Sequence, residues 1–314
     1  MERIGIVGAG LIGRAWAIVF ARAGFPVALH DRSDAILDGS FVAIDTSLRD
    51  LAAAGLLREP PATVRGRMSR AATLVDAVRG AAYVQESGPE LPGIKGEIFA
   101  AMDAAAAPET ILASSTSAIP GSSFTEGLRG RARCLVVHPV NPPHLVPVVE
   151  LCGAPWTTPD VIARTRALME RAGQVPITVN RELEGFILNR LQAALLNEAF
   201  RLIDGGYVSP DDLDKTIKDG LGLRWAFMGP METIDLNAPD GVTDYMRRYT
   251  PFFRRLDDEM KTAAPWRDTL VPTLEGDRRR QVAADQLGAR QAWRDRRLMA
   301  LLAHKLDMNK SPKE

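Results

Sequence analysis

The sequence has little of what marks secreted, membrane-spanning or nucleic-acid-binding proteins. It contains two cysteines, Cys134 and Cys152, in 314 residues. These are too few for a disulfide framework, so we expect a reducing, cytoplasmic environment. Lys and Arg together number 39, as do Asp and Glu, so no basic excess is left to attract nucleic acid. No apolar run reaches the roughly 18 residues of a membrane span, and glycines interrupt the first apolar stretch, so we expect no secretory leader.

The chain is long enough for two domains, and its hydrophobic share of 46% is ordinary for a globular protein. Over residues 1–183, short apolar runs alternate with segments of helical periodicity. This alternation predicts an α/β domain with a doubly wound sheet of parallel strands. Residues 184–314 show almost no strand pattern and predict an all-α domain that opens with a long amphipathic helix. We expect residues 309–314 to fray.

A glycine-rich turn joins the first predicted strand to the first predicted helix. In GAGLIG, Gly8 permits the tight turn, Gly10 lets the backbone approach a pyrophosphate, and Gly13 lets helix and strand pack closely. Phosphates bind well at a helix N-terminus, where free N–H groups favour anions. Leu11 and Ile12, in the first turn of this helix, are therefore cofactor-binding candidates as well.

An acidic residue then indicates which dinucleotide is bound. Asp31 ends the second predicted strand, 18 positions after Gly13. Its carboxylate would accept hydrogen bonds from the adenosine ribose and repel a 2′-phosphate, which favours NAD over NADP. The next residue, Arg32, is also a candidate contact and argues the other way, because an arginine can hold the extra phosphate. We predict NAD as the cofactor.

Two later strand-like runs, CLVVHP and LVPVVEL, close on His138 and Glu150. Ligands of open α/β sheets bind beyond the carboxyl ends of the strands, so His138 should face the cofactor. Alcohol oxidation needs a base, and an imidazole with an unperturbed pKa of about 6.5 suits that role. Glu150 could hold the other ring nitrogen and stabilise the imidazolium. The spacing alone equally allows an exposed loop histidine and an unrelated glutamate. We expect His144 to be a loop residue near the site, and we expect no metal.

Several segments resemble a known family. GAGLIGRAWAIVFARAGFPVALHD, HPVNPP and EGFILNRL resemble the short-chain 3-hydroxyacyl-CoA dehydrogenase superfamily. DGLGLRWAFMGPMETIDLNA and RQAWRDRRLM are similar, more narrowly, to the lambda-crystallin family of L-gulonate 3-dehydrogenases. The resemblance covers nearly the whole chain. It implies a Rossmann-like N-terminal domain, an all-α dimerisation domain that forms homodimers, and NAD-dependent oxidation of a 3-hydroxy acid. It also implies that His138 is the base and Glu150 its partner.

The resemblance implies two ligands for the reacting oxygen. They are Ser117, in the SSTS stretch, and Asn189, in EGFILNRL. Ser117 could instead be the N-cap of a helix, and Asn189 could be an ordinary polar residue of its helix. If Asn189 does reach the substrate, the chemistry lies in a cleft between the two domains.

The resemblance also implies that Glu86 and Glu90 approach the nicotinamide. Relatives usually carry Asn where this sequence has Leu91, which removes one polar contact, while Pro92 suits the first turn of a helix. Lys95 is a candidate cation on the cofactor side, although an exposed helix lysine is the simpler interpretation.

The substrate depends on a segment of the C-terminal domain. In GLRWAFMGP, Arg224 could grip a carboxylate through two parallel hydrogen bonds, which predicts a small free L-3-hydroxy acid resembling L-gulonate. Arg224 could instead pair with Asp219 or lie at a dimer interface. Trp225 and Phe227 leave carnitine open as a substrate. A 3-hydroxyacyl-CoA substrate, or a purely structural crystallin-like role, also remains open.

Overall fold

The computed structural model describes residues 2–262 and 266–308. Its contacts group the chain into two units. The first contains the chain up to Asn189 and again from Gln291, and the second contains Arg190–Arg290. This grouping differs from the predicted division after residue 183 in two ways, because its first break follows Asn189 and because most of the closing helix is grouped with the first unit. The predicted fraying of residues 309–314 lies outside the described residues.

One eight-stranded sheet runs through the first unit, with the strand order β3-β2-β1-β4-β5-β6-β7-β8. The strands are β1 (Arg3–Val7), β2 (Val27–His30), β3 (Met68–Arg70), β4 (Ala81–Glu86), β5 (Ile111–Ser114), β6 (Cys134–Pro139), β7 (Val148–Gly153) and β8 (Val175–Val179). Seven of them lie in segments that the sequence pattern predicts. The exception is β3, whose three residues are too few to show a period.

The sequence pattern predicts a sheet of parallel strands, but one pair of strands in the sheet is antiparallel. Neighbouring strands are parallel everywhere except between β6 and β7, which are antiparallel. The expectation fails here because residues 140–147 are too few for the crossover that parallel neighbours need. The predicted α/β class with a Rossmann-like first part and a helical C-terminal part is confirmed.

The helices of the two units follow in chain order. They are α1 (Leu11–Arg22), α2 (Asp34–Ala53), α3 (Pro61–Arg65), α4 (Leu74–Val78), α5 (Pro92–Ala105), α6 (Ser122–Thr125), α7 (Pro159–Arg171), α8 (Leu188–Asp204), α9 (Pro210–Lys215), α10 (Gly222–Trp225), α11 (Pro230–Leu236), α12 (Gly241–Glu259), α13 (Val271–Gln281) and α14 (Leu287–Met308). A π-helical turn at Thr216–Leu221 joins α9 to α10. Pro92 opens α5, as predicted.

Two apolar layers cover the sheet, one on each face. Successive strand residues point to opposite faces, and accordingly Ile4 and Ile6 of β1 belong to one buried cluster while Val7 belongs to the other. Trp16 of α1 and Met299 of α14 both pack into the first cluster. Met299 is 4% exposed, and this burial explains why the closing helix is grouped with the first unit.

The described part of the second unit contains helices and no strands, as the sequence pattern predicts. Ser209 caps α9, because its hydroxyl accepts a hydrogen bond from the Asp212 amide. One side of α12 exposes aromatic rings, among them Tyr249, Phe252 and Phe253. None of the described helices is both long and apolar enough to cross a membrane.

Candidate active site

The antiparallel pairing of β6 with β7 places a histidine opposite a glutamate. His138 and Glu150 are partners in the strand register, and His138 Nδ1 lies 2.7 Å from Glu150 Oε2. Both residues are buried, at 5% and 1% exposure. The sequence pattern predicts that Glu150 ends its strand, but Glu150 is the third residue of β7, which continues to Gly153. Since β7 runs opposite to β6, a residue near its start faces the carboxyl end of β6.

The second oxygen of Glu150 binds the beginning of α8. Glu150 Oε1 accepts hydrogen bonds from the Ile187 amide at 2.9 Å and the Leu188 amide at 3.0 Å. Burial raises the pKa of Glu150, but His138 and these two amides lower it, and the net pKa lies below the usual value. The carboxylate therefore stays ionised. It orients His138 with its Nδ1 hydrogen toward Glu150, which leaves Nε2 for a substrate proton.

An aromatic residue that the sequence analysis did not single out covers this pair. Phe186 is fully buried, and its ring centroid lies 5.5 Å from that of His138. It has a φ of 48°, directly after Gly185 at 75°, so two left-handed residues turn the chain before α8. Such a conformation is uncommon for a bulky residue and needs support from its surroundings. The only available signal was its place in the quoted segment EGFILNRL.

Ser117 and Asn189 belong to one chain of hydrogen bonds. Asn189 Nδ2 donates to the Ser117 carbonyl at 2.7 Å, and the Ser117 amide donates to Glu90 Oε1 at 2.7 Å. Ser117 does not cap a helix, because the next helix, α6, follows Gly121. Ser117 is exposed and follows the carboxyl end of β5, so its hydroxyl is free to meet a ligand.

Glu90 holds the Ser117 loop. Its Oε1 accepts hydrogen bonds from the Thr116 hydroxyl and from the Ser117 and Ala118 amides. Partial burial raises the pKa of Glu90, but the Thr116 hydroxyl, the charge of Lys95 and the two amides outweigh that effect and lower it overall. Glu90 is therefore an ionised anchor for this loop.

Beneath the loop lies a buried ion pair. Lys95 is 1% exposed, and its Nζ lies 3.1 Å from both oxygens of Glu86 and 3.4 Å from Glu90 Oε2. Glu86 is fully buried and also accepts a hydrogen bond from the Ser114 hydroxyl. The interpretation of Lys95 as an exposed helix lysine is therefore wrong. Because buried charges need partners, Glu86 and Lys95 satisfy each other, and Glu86 has no exposed oxygen to offer a nicotinamide.

The glycine turn fits a dinucleotide. Gly8 has a φ of 99°, and a Cβ there would strike the Ser87 carbonyl. A Cβ on Gly13 would strike the Gly8 carbonyl, whereas a Cβ on Gly10 would meet nothing within 4 Å. Gly8 and Gly13 thus close the turn against the strand, and Gly10 leaves open space at the N-terminus of α1. Leu11, 51% exposed, and the partly buried Ile12 follow in the first helical turn. This opening can admit phosphates to the helix amides.

Asp31 borders the same turn. Its Oδ2 accepts a hydrogen bond from the Ala9 amide at 2.8 Å, and its Oδ1 accepts one from the Ser33 amide at 3.0 Å. Arg32 is exposed beside it. The carboxylate thus lies next to the glycine turn, where a ribose joined to the bound phosphates would meet it.

Arg224 belongs to the second unit, in α10, and is exposed. Asp219 pairs with Lys218 at 3.2 Å, and no described carboxylate lies within 4.0 Å of the Arg224 guanidinium. Trp225 and Phe227 are 41% and 56% exposed. Within the described ranges, no three His, Cys, Asp or Glu side chains are grouped so that they could hold a metal ion.

Known proteins resemble the chain along almost its whole length. The NAD-binding domain of 3-hydroxyacyl-CoA dehydrogenase matches residues 3–183, and the C-terminal domain of the same family matches residues 185–281. A lambda-crystallin homolog from Bos taurus is 42% identical, over 96% of each chain. An L-carnitine dehydrogenase from Streptomyces coelicolor is 34% identical, over 88% of this chain and 83% of the relative.

A solved structure is also similar to the chain along almost its whole length. It is the 5-dehydrogenase of 5-formyl-3-hydroxy-2-methylpyridine 4-carboxylic acid, an NAD⁺-dependent dismutase. It superposes with a TM-score of 0.82 at 27% sequence identity, over 96% of this chain and 97% of the other.

The lowered pKa of Glu150 predicts a pH-dependent contribution to stability. A carboxyl group whose pKa is lower in the folded than in the unfolded chain stabilises the fold above the unfolded value, about 4.3. That stabilisation is lost as pH falls through the folded pKa. The urea midpoint of wild type should therefore exceed that of Glu150→Gln at neutral pH, and the gap should shrink between about pH 5 and pH 3.

The matched control is Glu170→Gln, an exposed glutamate of α7. Its midpoint should stay close to that of wild type throughout. A constant gap between wild type and Glu150→Gln over the acidic range would contradict the assignment of an ionised Glu150.

Proposed function

Since the chain belongs to the 3-hydroxyacyl-CoA dehydrogenase family and is thus an NAD-dependent oxidoreductase acting on CH–OH groups, we propose that it oxidises the 3-hydroxyl of a small free L-3-hydroxy acid. L-gulonate is the substrate we favour, because the sequence segments quoted above resemble those of the lambda-crystallin family. The observation that carries the proposal is the buried His138–Glu150 pair, oriented by the amides of α8.

His138 is the proposed general base. Its Nδ1 hydrogen is held by Glu150 at 2.7 Å, so Nε2 can accept the proton of the 3-hydroxyl group. The ionised carboxylate then stabilises the imidazolium that forms, as in other His–acid pairs. Phe186 covers the pair and keeps water from one side of the imidazole. Bound NAD would supply the hydride acceptor for the hydrogen on C3.

Ser117 and Asn189 are the proposed ligands of the reacting oxygen. The Ser117 hydroxyl is exposed, and Asn189 keeps one amide hydrogen after its bond to the Ser117 carbonyl. Glu90 fixes this loop from the other side. We therefore assign Glu90 and Lys95, which are cofactor-binding candidates by sequence, to positioning the loop next to the nicotinamide.

Arg224 is the proposed ligand of the substrate carboxylate. The described residues provide no carboxylate partner for its guanidinium, and a planar guanidinium suits bidentate binding of a carboxylate. The two alternative substrates are a 3-hydroxyacyl-CoA, which the family name suggests, and carnitine, the substrate named for the Streptomyces relative.

We also propose that the chain acts as a cytoplasmic homodimer through its second unit. The exposed aromatic side of α12, with Tyr249, Phe252 and Phe253, is suited to burial against a second copy. Both cysteines are buried and unpaired, which suits a reducing compartment.

Cofactor choice is tested at Asp31. NAD should be preferred over NADP by at least about tenfold in kcat/KM, which corresponds to roughly 1.4 kcal/mol, because the carboxylate repels a 2′-phosphate. Asp31→Ala should lower the ratio of kcat/KM for NAD to kcat/KM for NADP. Asp34→Ala, which changes a side chain that is 95% exposed, should leave this ratio unchanged. Equal kcat/KM values for the two dinucleotides in wild type would contradict the assignment.

The base is tested at His138. His138→Asn should lower kcat by roughly 10²–10⁴-fold, the usual contribution of a general base, and should leave the Kd of NAD nearly unchanged. His304→Asn, at an exposed position of α14, is the control and should keep full activity. A His138→Asn enzyme with almost wild-type kcat would remove this residue from the mechanism.

The substrate class is tested at Arg224. NADH formation is followed with L-gulonate, L-3-hydroxybutyrate, carnitine and 3-hydroxybutyryl-CoA. Arg224→Met should lower kcat/KM for the favoured free acid by roughly 30- to 1000-fold, the loss expected for a charge-assisted bidentate contact. Arg224→Lys should recover part of that loss.

Arg247→Met, at a largely exposed position of α12, is the matched control and should behave as wild type. If wild type turns over only the thioester and Arg224→Met has no effect on it, the small-acid assignment is wrong. Turnover of carnitine alone would identify the quaternary ammonium substrate instead.

A further inference from the structure

The first unit contains a cavity that the proposed reaction does not use. It has a volume of about 560 Å³, within the range of small-molecule sites. Its walls come from the C-terminal end of α1, the segment after α2, the β6–β7 connection, the end of α7 and the last turns of α14. They are mostly apolar, with Leu56, Leu57, Leu145, Leu302 and Leu306 among them.

The charged residues that line this cavity are mainly cationic. Among the lining residues that the structure describes, they are Arg22, Arg58, Arg171 and Lys305, with Glu59 as the single acid. Glu59 is already neutralised by Arg67 at 2.7 Å, and Arg171 pairs with Glu2. Among the described residues, the other three cations have no carboxylate within 4.0 Å. The cavity therefore combines an apolar interior with a positive charge excess.

Arg22 is the most unusual of these cations. It is partly buried at the end of α1, and within the described part of the chain its side chain donates one hydrogen bond, to the His144 carbonyl at 2.8 Å. Burial lowers its pKa to about 10. A guanidinium has five N–H donors, so most of its hydrogen-bonding capacity is unused in a place where water has limited access.

An unpartnered polar group lies in the wall of the same cavity. His144 is 8% exposed and lines the wall, and its Nδ1 has no hydrogen-bond partner among the described residues. Buried polar groups are almost always hydrogen-bonded, so a buried imidazole nitrogen without a partner in this wall, beside the underused guanidinium of Arg22, indicates a place that can meet a polar ligand group.

The cavity is separate from the dinucleotide site. The glycine turn lies at the N-terminus of α1 and Arg22 at its C-terminus. At about 1.5 Å per residue, the two ends of this helix are roughly 16 Å apart. None of the residues assigned to the cofactor lines the cavity.

We propose that this cavity is a second binding site, specific for an amphipathic carboxylate of the medium-chain fatty acid type. The Arg22 guanidinium grips the carboxylate, supported by Lys305, and the hydrocarbon chain lies against the leucines. A short anion would leave the apolar walls uncovered, and a neutral chain would leave Arg22 without a counter-charge. Both properties are therefore required in one molecule.

The test uses sodium octanoate as the probe. 1-Octanol serves as a control for the hydrocarbon chain without the charge, and acetate as a control for the charge without the hydrocarbon chain. Octanoate binding is measured by calorimetry on the full-length protein, with and without saturating NAD. Octanoate should bind in both cases, and each control probe should bind at least about tenfold more weakly. In spectra of protein with isotope-labelled histidine, the ring signals of His144 should shift, as identified with His144→Gln.

Arg22→Met and Lys305→Met remove the charges, and Leu302→Trp fills the cavity. Arg22→Met and Leu302→Trp should each weaken octanoate binding by at least about tenfold, and Lys305→Met by less. Arg129→Met, an exposed arginine outside the lining, is the matched control and should bind as wild type.

Three results would overturn the proposal. If octanoate competes with NAD, it occupies the cofactor site and not the cavity. Octanoate that binds all three cavity variants as tightly as wild type occupies some other surface. Binding of 1-octanol as tight as that of octanoate shows a purely apolar pocket in which Arg22 takes no part.

Discussion

The proposed chemistry depends on the hydrogen bonds that the Glu150 carboxylate accepts. One oxygen is hydrogen-bonded to His138, and the other accepts hydrogen bonds from two amides at the start of α8. The same group thus orients the base and caps the N-terminus of a helix, and both contacts favour its ionised form. The antiparallel β6–β7 pair and the left-handed turn through Gly185 and Phe186 are the backbone features that bring these partners to one carboxylate.

A second buried acid supports the neighbouring loop in a similar way. Glu86, neutralised by Lys95, lies below Glu90, and Glu90 in turn holds the amide of Ser117. Ionised groups are costly to bury unless they are paired, so this stack is stable only as a set. Its effect is to present the Ser117 hydroxyl from a loop whose backbone is tied at both its amide and its carbonyl.

The helix α1 serves a different ligand chemistry at each end. At its N-terminus, Gly10 leaves the amides open to phosphates. At its C-terminus, Arg22 holds the carbonyl of His144, within the connection that joins the strands of His138 and Glu150. A ligand on Arg22 would therefore contact the segment that links the two members of the catalytic pair.

The sequence by itself determined the local features of this protein. The glycine spacing, the acid after β2, the proline that opens α5, the serine cap of α9 and seven of the eight strands follow from residue type and short-range periodicity, which act over a few residues. Only the tertiary structure decided that β7 runs antiparallel, that Lys95 is buried against Glu86, and that Met299 brings α14 into the first core. Each of these depends on which distant segments become neighbours. A helix lysine or a strand glutamate looks the same in sequence whether its side chain meets water or a buried partner, because burial and pairing are set by long-range packing.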